Sequence, residues 1–404
     1  MQKVFFKIFG CKVNQLEIEA MRESYIAQNH KIADALEDAN VVIIGSCTVT
    51  HTAESKLVKF ARKALRTHDE MQVKIVGCWL PEMQSRLAEY ADRIEFINNS
   101  AKFEQMHTFI PDVTRLSEKT RAFIKIQEGC NSFCSYCIIP YMRSQLKSRS
   151  IADTVAEVQK NLEAGAKEIV LVGIHLGLWR EKEYRLHNLV EALTKIDGDW
   201  RLRLTSVEIH EITSELINLV AENNKLVEHL HIPLQAGSTQ VLKRMNRNYT
   251  KEFFLDKISQ LRAKLPKVGI STDIIVGFPG ETDEDFADTL EIVEKTQFMR
   301  VHAFPFSARS GTKAFVFKNK VHPGTIKHRE NELFQLAEKC KQDFTNKFIN
   351  SDVEILTEKH EDGATIGYTR EYLPARITTL RNPELNKFYT LTVKDINEQD
   401  ELIL

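Results

Sequence analysis

Three cysteines close together carry the strongest chemical signal in this chain: Cys130-Asn-Ser-Phe-Cys134-Ser-Tyr-Cys137. The C-x3-C-x2-C spacing puts three thiols on one tight loop. Thiolate is the standard ligand of iron–sulfur clusters, so three of them can hold three irons of a four-iron cubane. The fourth iron then has no cysteine from this loop, and an open iron position admits a substrate or cofactor. Zinc is the rival metal, but a structural zinc site wants a closed Cys/His tetrahedron, and no histidine lies within ten residues of the loop. Three cysteines that merely pack in a core are the remaining alternative, and their crowding argues against it.

For such an open cluster the natural fourth ligand is the amino and carboxyl group of S-adenosylmethionine, whose radical chemistry resides in the cofactor and cluster. The other cysteines are Cys11, Cys47, Cys78 and Cys340. Nothing at the N-terminus reads as a signal peptide, and no apolar run approaches a membrane span. A soluble, cytoplasmic chain without membrane contact is therefore expected, and in that compartment thiols stay reduced. With 404 residues, 43% of them hydrophobic, the chain can form two or three domains. The formal net charge of −1 does not announce a nucleic-acid partner, so any RNA site must come from local patches.

The elements that position the cysteines are legible as βα alternation. KVFFKIFG (3–10), VVIIG (41–45) and VKIVG (73–77) are strand-like, and each precedes a helical stretch. This pattern implies parallel βαβ units. Each strand runs into Gly-Cys or Gly-Ser-Cys, giving Cys11, Cys47 and Cys78. Carboxyl ends of parallel strands share one edge, where ligands bind, so these three cysteines are expected at one rim. Residues 101–121 read as a linker. Six further strands follow at 122–127, 168–173, 201–207, 229–234, 270–277 and 300–306, with helices between them, which suggests a partial (β/α)6 barrel. From Thr345 onward, short strands and an Glu361-Asp362-Gly363 turn suggest a small antiparallel β-barrel. The expected class is α/β, with units at 1–112, 116–344 and 345–404.

GCKVNQLE (10–17), SCTVTHTAESK (46–56), IQEGCNSFCSYCIIPYMR (126–143), HLHIPLQAGSTQVLKRMNRNYT (229–250) and DIIVGFPGETDEDF (273–286) together resemble the radical S-adenosylmethionine methylthiotransferases. The likeness runs over essentially the whole chain, in the order N-terminal cluster domain, radical core and C-terminal TRAM domain. Gly-Cys-Lys-Val-Asn-Gln with Glu17 is most similar to the branch modifying N6-threonylcarbamoyladenosine at tRNA position 37. Other branches act on isopentenyladenosine-37 or a ribosomal protein side chain, and a non-catalytic iron–sulfur RNA-binding protein is a further alternative. The resemblance implies a [4Fe–4S] cluster on Cys130, Cys134 and Cys137 and a second on Cys11, Cys47 and Cys78. It also implies two uses of S-adenosylmethionine: one methylates a sulfur at the second cluster, and one is cleaved to a radical that attacks the adenine ring. The expected partners are the tRNA anticodon loop and an electron donor such as flavodoxin or ferredoxin, with the enzyme acting as a monomer.

Tyr136, Gly173, Ser206 and Glu208 are the candidate S-adenosylmethionine contacts: an aromatic beside the last cluster cysteine, a strand-end glycine, and two polar residues at the end of the third barrel strand. GFPGE (277–281) reads as a turn lining the cofactor pocket, with no phosphate-loop lysine following. His231 and Gln235 read as supporting residues. Lys56, Lys59, Arg62, Lys63 and Arg66, together with Lys243, Arg244, Arg247, Tyr249 and Lys251, are candidate RNA contacts. The module from Thr345 carries a formal −4, so Arg370, Arg376 and Arg381 would have to cluster to form a basic face. Cys340 reads as an ordinary helical residue.

Overall fold

The computed structural model describes residues 1–106 and 120–404. Most of the stretch read as a linker lies outside the described residues; its start belongs to the helix Asn99–Met106, and Arg121 opens a strand.

The N-terminal unit is a parallel sheet of five strands in the order Lys31–Ile32, Lys3–Ile8, Val41–Ser46, Gln72–Gly77, Ile94–Asn98. Val41–Ser46 is buried along its whole length, as expected of a central parallel strand covered on both faces. Sequence reading found three of these strands. It missed Lys31–Ile32, which is only a two-residue edge, and Ile94–Asn98, whose polar interruptions hide its pairing with Gln72–Gly77.

Six parallel strands form the central unit. Arg121–Glu128, Glu168–Gly173 and Arg201–Leu204 make one sheet, which the short antiparallel strand Lys147–Ser148 edges, and His229–His231, Gly269–Val276 and Arg300–Pro305 make another. Parallel bridges Leu202↔Leu226 and Ser206↔His231 join them into an incomplete barrel. Its core packs Ile124, Ile126, Leu171, Leu204, Leu230 and Ile270 against helix faces such as Leu189 and Val190. Cys340 lies in this core on the helix Pro323–Asn346, away from the other cysteines.

The N-terminal unit docks through Val13 and Leu16, which pack on Val170 and Val172 of the second barrel strand. The C-terminal unit is a curled six-stranded, mainly antiparallel sheet around Val353, Ile355, Ala375 and Leu402. Its first hairpin turns at Asp362 (φ 49°) and Gly363 (φ 74°), the left-handed pair that a tight hairpin favours.

Candidate active site

The Cys130 loop leaves the first barrel strand at Gly129, whose φ of 83° suits glycine alone; a Cβ there would come within 2.2 Å of the Gln145 carbonyl oxygen. Cys130, Cys134 and Cys137 all line a cavity of about 400 Å³ at the carboxyl end of the barrel. Ile138, Ile174, Ile275, Phe304 and Phe306 give it apolar walls, and Ser206, Glu208, Gln235, Arg247 and Asp273 add polar groups. Val49 and Thr50, just beyond Cys47, come from the N-terminal unit and close one side. Thr50 also caps the helix His51–Leu65 through Ala53 N at 3.2 Å.

The loop thiols are held by donors. Arg247 Nη1 lies 3.5 Å from Cys134 Sγ, and His175 Nδ1 lies 3.6 Å from Cys130 Sγ. Desolvation, with Cys134 and Cys130 adjacent, pushes the Cys137 thiol up to about 12. For Cys130 desolvation acts in the same sense, but hydrogen bonds from His175 and Ser132 outweigh it and lower the thiol. Burial also disfavours a charged His175, yet its bonds to Cys130 and to Glu211, the latter at 2.6 Å, raise it to about 10. Among the described residues, no His, Cys, Asp or Glu group is gathered as a ready single-ion site. A cubane makes a different demand, because each thiolate binds its own iron.

The second set of thiols stands at the expected rim. Gly77, with φ 113°, turns the chain out of its strand into Cys78. Burial pushes the Cys47 thiol up to about 11, and Cys11 and Cys78 lie near enough to add to the effect. Ser46 Oγ donates to the Cys78 carbonyl at 2.8 Å, while Asn14 Nδ2 donates to the Ser46 carbonyl at 2.7 Å. Asn99 Nδ2 points at Cys78 Sγ at 3.4 Å and at the Met142 carbonyl at 3.0 Å.

These bonds belong to a buried network that sequence reading missed. Arg143 pairs with Glu17 and Glu128, and Lys125 bridges the same two carboxylates. Lys102 joins through Glu17 and Asn99. Three cations and two carboxylates are thus sealed between the two thiol sets, with side chains at most 1% exposed. The available signal was a lysine inside the apolar strand run Ala-Phe-Ile-Lys-Ile.

Other candidates are placed as follows. Tyr136 lines the cavity, with its ring edge-on to Phe278 at 6.5 Å. Ser206 and Glu208 line it too, but beyond the strand, which ends at Leu204. Gly173 is not a lining residue; a Cβ there would crowd Gln127 at 3.1 Å. The 277–281 turn backs the cavity instead of lining it, because Glu281 bonds Gly277 N at 3.1 Å and Arg329 at 2.6 Å. Gln235 lines the cavity and His231 does not.

Most of the second basic cluster is paired, although Lys243 is exposed. Arg247 pairs with Glu208, Arg244 with Asp285, and Lys251 with Asp288, so acids from other segments neutralise a stretch that is acid-free in sequence. Tyr249 is buried and donates to the Leu234 carbonyl at 2.8 Å. In the C-terminal unit, Arg370 binds the Asn224 and Leu226 carbonyls and Arg376 pairs with Glu401. These two arginines therefore do not form the basic face that the family resemblance required.

Comparison with known proteins follows this geometry. The Radical SAM superfamily pattern matches residues 124–293, and the Uncharacterized protein family UPF0004 pattern matches residues 3–98. The threonylcarbamoyladenosine tRNA methylthiotransferase MtaB of Bacillus subtilis is 34% identical, over 92% of this chain and 90% of that protein. The chain belongs to the radical S-adenosylmethionine methylthiotransferases. The Chlamydia pneumoniae protein named MtaB is 33% identical over 96% of this methylthiotransferase and 95% of its own length. The tRNA-2-methylthio-N(6)-dimethylallyladenosine synthase of Alkaliphilus oremlandii is 32% identical over 92% and 86%. The cobalamin- and [4Fe-4S]-bound structure of the radical methyltransferase TsrM from Kitasatospora setae shares the fold at a TM-score of 0.57, with 13% identity over 78% of this chain and 77% of that one. Membership of the radical S-adenosylmethionine superfamily implies a [4Fe–4S] cluster and S-adenosylmethionine. Among the described residues, no helix of this methylthiotransferase is long and apolar enough to cross a membrane.

Proposed function

We propose that this methylthiotransferase converts N6-threonylcarbamoyladenosine at position 37 of tRNA to its 2-methylthio derivative. In this reading Cys130, Cys134 and Cys137 hold one [4Fe–4S] cluster, and Cys11, Cys47 and Cys78 hold a second. The sealed Arg143 network, which ties both thiol sets together beside one cavity, carries the two-cluster reading, and the likeness to the two proteins named MtaB supports the substrate. The donor sets fit: each has three thiols, and the Arg247 and Asn99 donors aimed at sulfur suit an anionic thiolate. When bound, the two clusters supply the electron that cleaves S-adenosylmethionine and the sulfur that is transferred.

The chain's own residues position and shield that chemistry. Tyr136, Ser206 and Glu208 are the proposed cofactor contacts, with Glu208 fixed by Arg247 Nη1 at 3.0 Å. The isoleucine and phenylalanine walls keep water from a reactive centre. Gly173, off the lining, acts by letting the strand end pack closely. Lys56, Lys59 and Lys63 are exposed on one helix face and have no ion pair among the described residues, as suits an RNA backbone. A flavodoxin or ferredoxin as electron donor, a monomeric state and a cytoplasmic location complete the proposal.

The name of the Alkaliphilus oremlandii relative makes dimethylallyladenosine the second reading. Reconstituted protein, S-adenosylmethionine and dithionite, incubated with anticodon stem–loops carrying either adenosine, separate the two. Methylthiolation of the threonylcarbamoyl RNA supports the proposal, and product only on the dimethylallyl RNA rejects it.

A further inference from the structure

A second cavity, of about 450 Å³, adjoins the thiol-lined one and shares Ser206, Asp273 and Phe304 with it. Its walls present three cations, Lys12, Arg203 and Arg300, against one carboxylate, Asp273. Asp273 lies 3.3 Å from His231 Nε2. Arg203 pairs with Glu168, fully buried and shared among Arg121, Arg201 and Arg203, and Glu358 lies near the same arginines. Arg300 is exposed, and its side chain has no hydrogen bond or ion pair among the described residues. His229, 6% exposed, faces Ser271 Oγ at 3.1 Å through Nε2, while its Nδ1 has no partner among the described residues. Burial, with Arg203, His231 and Arg300 nearby, holds this ring well below its ordinary pKa.

An unmatched guanidinium and an unsatisfied buried ring nitrogen call for a ligand that is anionic and accepts or donates hydrogen bonds. A threonylcarbamoyl group has that chemistry, since its threonine keeps a free carboxylate and a hydroxyl. A dimethylallyl group is apolar and would desolvate the cations without replacing their hydrogen bonds. We infer that the second cavity receives the N6 substituent of the target adenine, with Arg300 pairing the threonylcarbamoyl carboxylate. This inference rests on the proposed tRNA substrate and adds the residue that selects it.

The test measures binding of anticodon stem–loop RNAs carrying threonylcarbamoyladenosine, dimethylallyladenosine or plain adenosine to the reconstituted protein and to Arg300→Met, Arg300→Glu and Arg300→Lys. Loss of a charge-assisted contact should weaken the threonylcarbamoyl RNA about tenfold or more in Arg300→Met. Arg300→Glu should be worse, Arg300→Lys should recover part of the loss, and the other two RNAs should be unaffected. Equal weakening on all three RNAs would assign Arg300 to the RNA backbone and overturn the inference, as would no change on any. If the wild-type protein itself shows no preference for the threonylcarbamoyl RNA, the substrate reading fails first. Iron content and the circular dichroism spectrum, matched across variants, exclude misfolding as the cause.

Discussion

Arg143, just past the Cys130–Cys137 loop, lays both guanidinium nitrogens against Glu17, just past Cys11: Nη1 to Oε1 and Nη2 to Oε2 are each 2.9 Å. The pair crosses from barrel to N-terminal unit, and both side chains are 1% exposed. A bidentate arginine–carboxylate bond fixes orientation as well as distance. It sets how the two thiol sets face one another.

Breaking that pair should be costly, because it strands a buried charge. Arg143→Met is expected to lose about 3–5 kcal/mol of stability, measured by urea unfolding. Glu17→Gln should lose at least as much, since it leaves three buried cations against the single carboxylate of Glu128. Both should lower iron content. In either variant, more S-adenosylmethionine should be cleaved per product formed, because the two halves of the site no longer align.

The same carboxylate predicts an acid response. Burial alone would raise Glu17, but Arg143, Lys102 and Lys125 outweigh it and hold the group well below 4.5. A depressed carboxyl contributes stability above its unfolded pKa and loses it as pH falls through the folded one. The wild-type protein should therefore lose stability as pH falls below about 4.5, and Glu17→Gln should show a shallower loss over that window. Melting temperature against pH measures both.

The two cysteine sets should separate by function. Replacing Cys11, Cys47 and Cys78 with alanine should reduce iron from about eight to about four per chain and abolish methylthiolation, while reductive cleavage of S-adenosylmethionine persists. Replacing Cys130, Cys134 and Cys137 should abolish cleavage. Iron assay and 5′-deoxyadenosine quantification report the difference.

If Lys56, Lys59 and Lys63 meet RNA phosphates, the triple alanine variant should bind stem–loop RNA more weakly at every sequence. The slope of log affinity against log salt should fall by about 2. Unchanged salt dependence would assign this face to solvent.

The parts of this site that were legible in the sequence are those set by local chemistry. The Cys130 loop declared itself by spacing, and Cys11, Cys47 and Cys78 by their position after parallel strands. Barrel strands such as Glu168–Gly173 and Gly269–Val276 were visible because buried parallel strands read as apolar runs. What escaped depends on long-range partners. Nothing in the Lys243–Lys251 stretch announces that Asp285, Asp288 and Glu208 fold onto it. Arg370 reads as a surface cation, yet it grips barrel carbonyls. Arg143 and Glu17, far apart in sequence, gain meaning only once their two units dock.

The most direct test of the account is nucleoside mass spectrometry of tRNA from cells lacking the gene and from the same cells complemented with wild-type or Cys134→Ala protein. The account predicts that 2-methylthio-N6-threonylcarbamoyladenosine disappears while its unthiolated precursor accumulates, and that only the wild-type gene restores it. An unchanged level of the methylthio nucleoside in the deleted strain would contradict it.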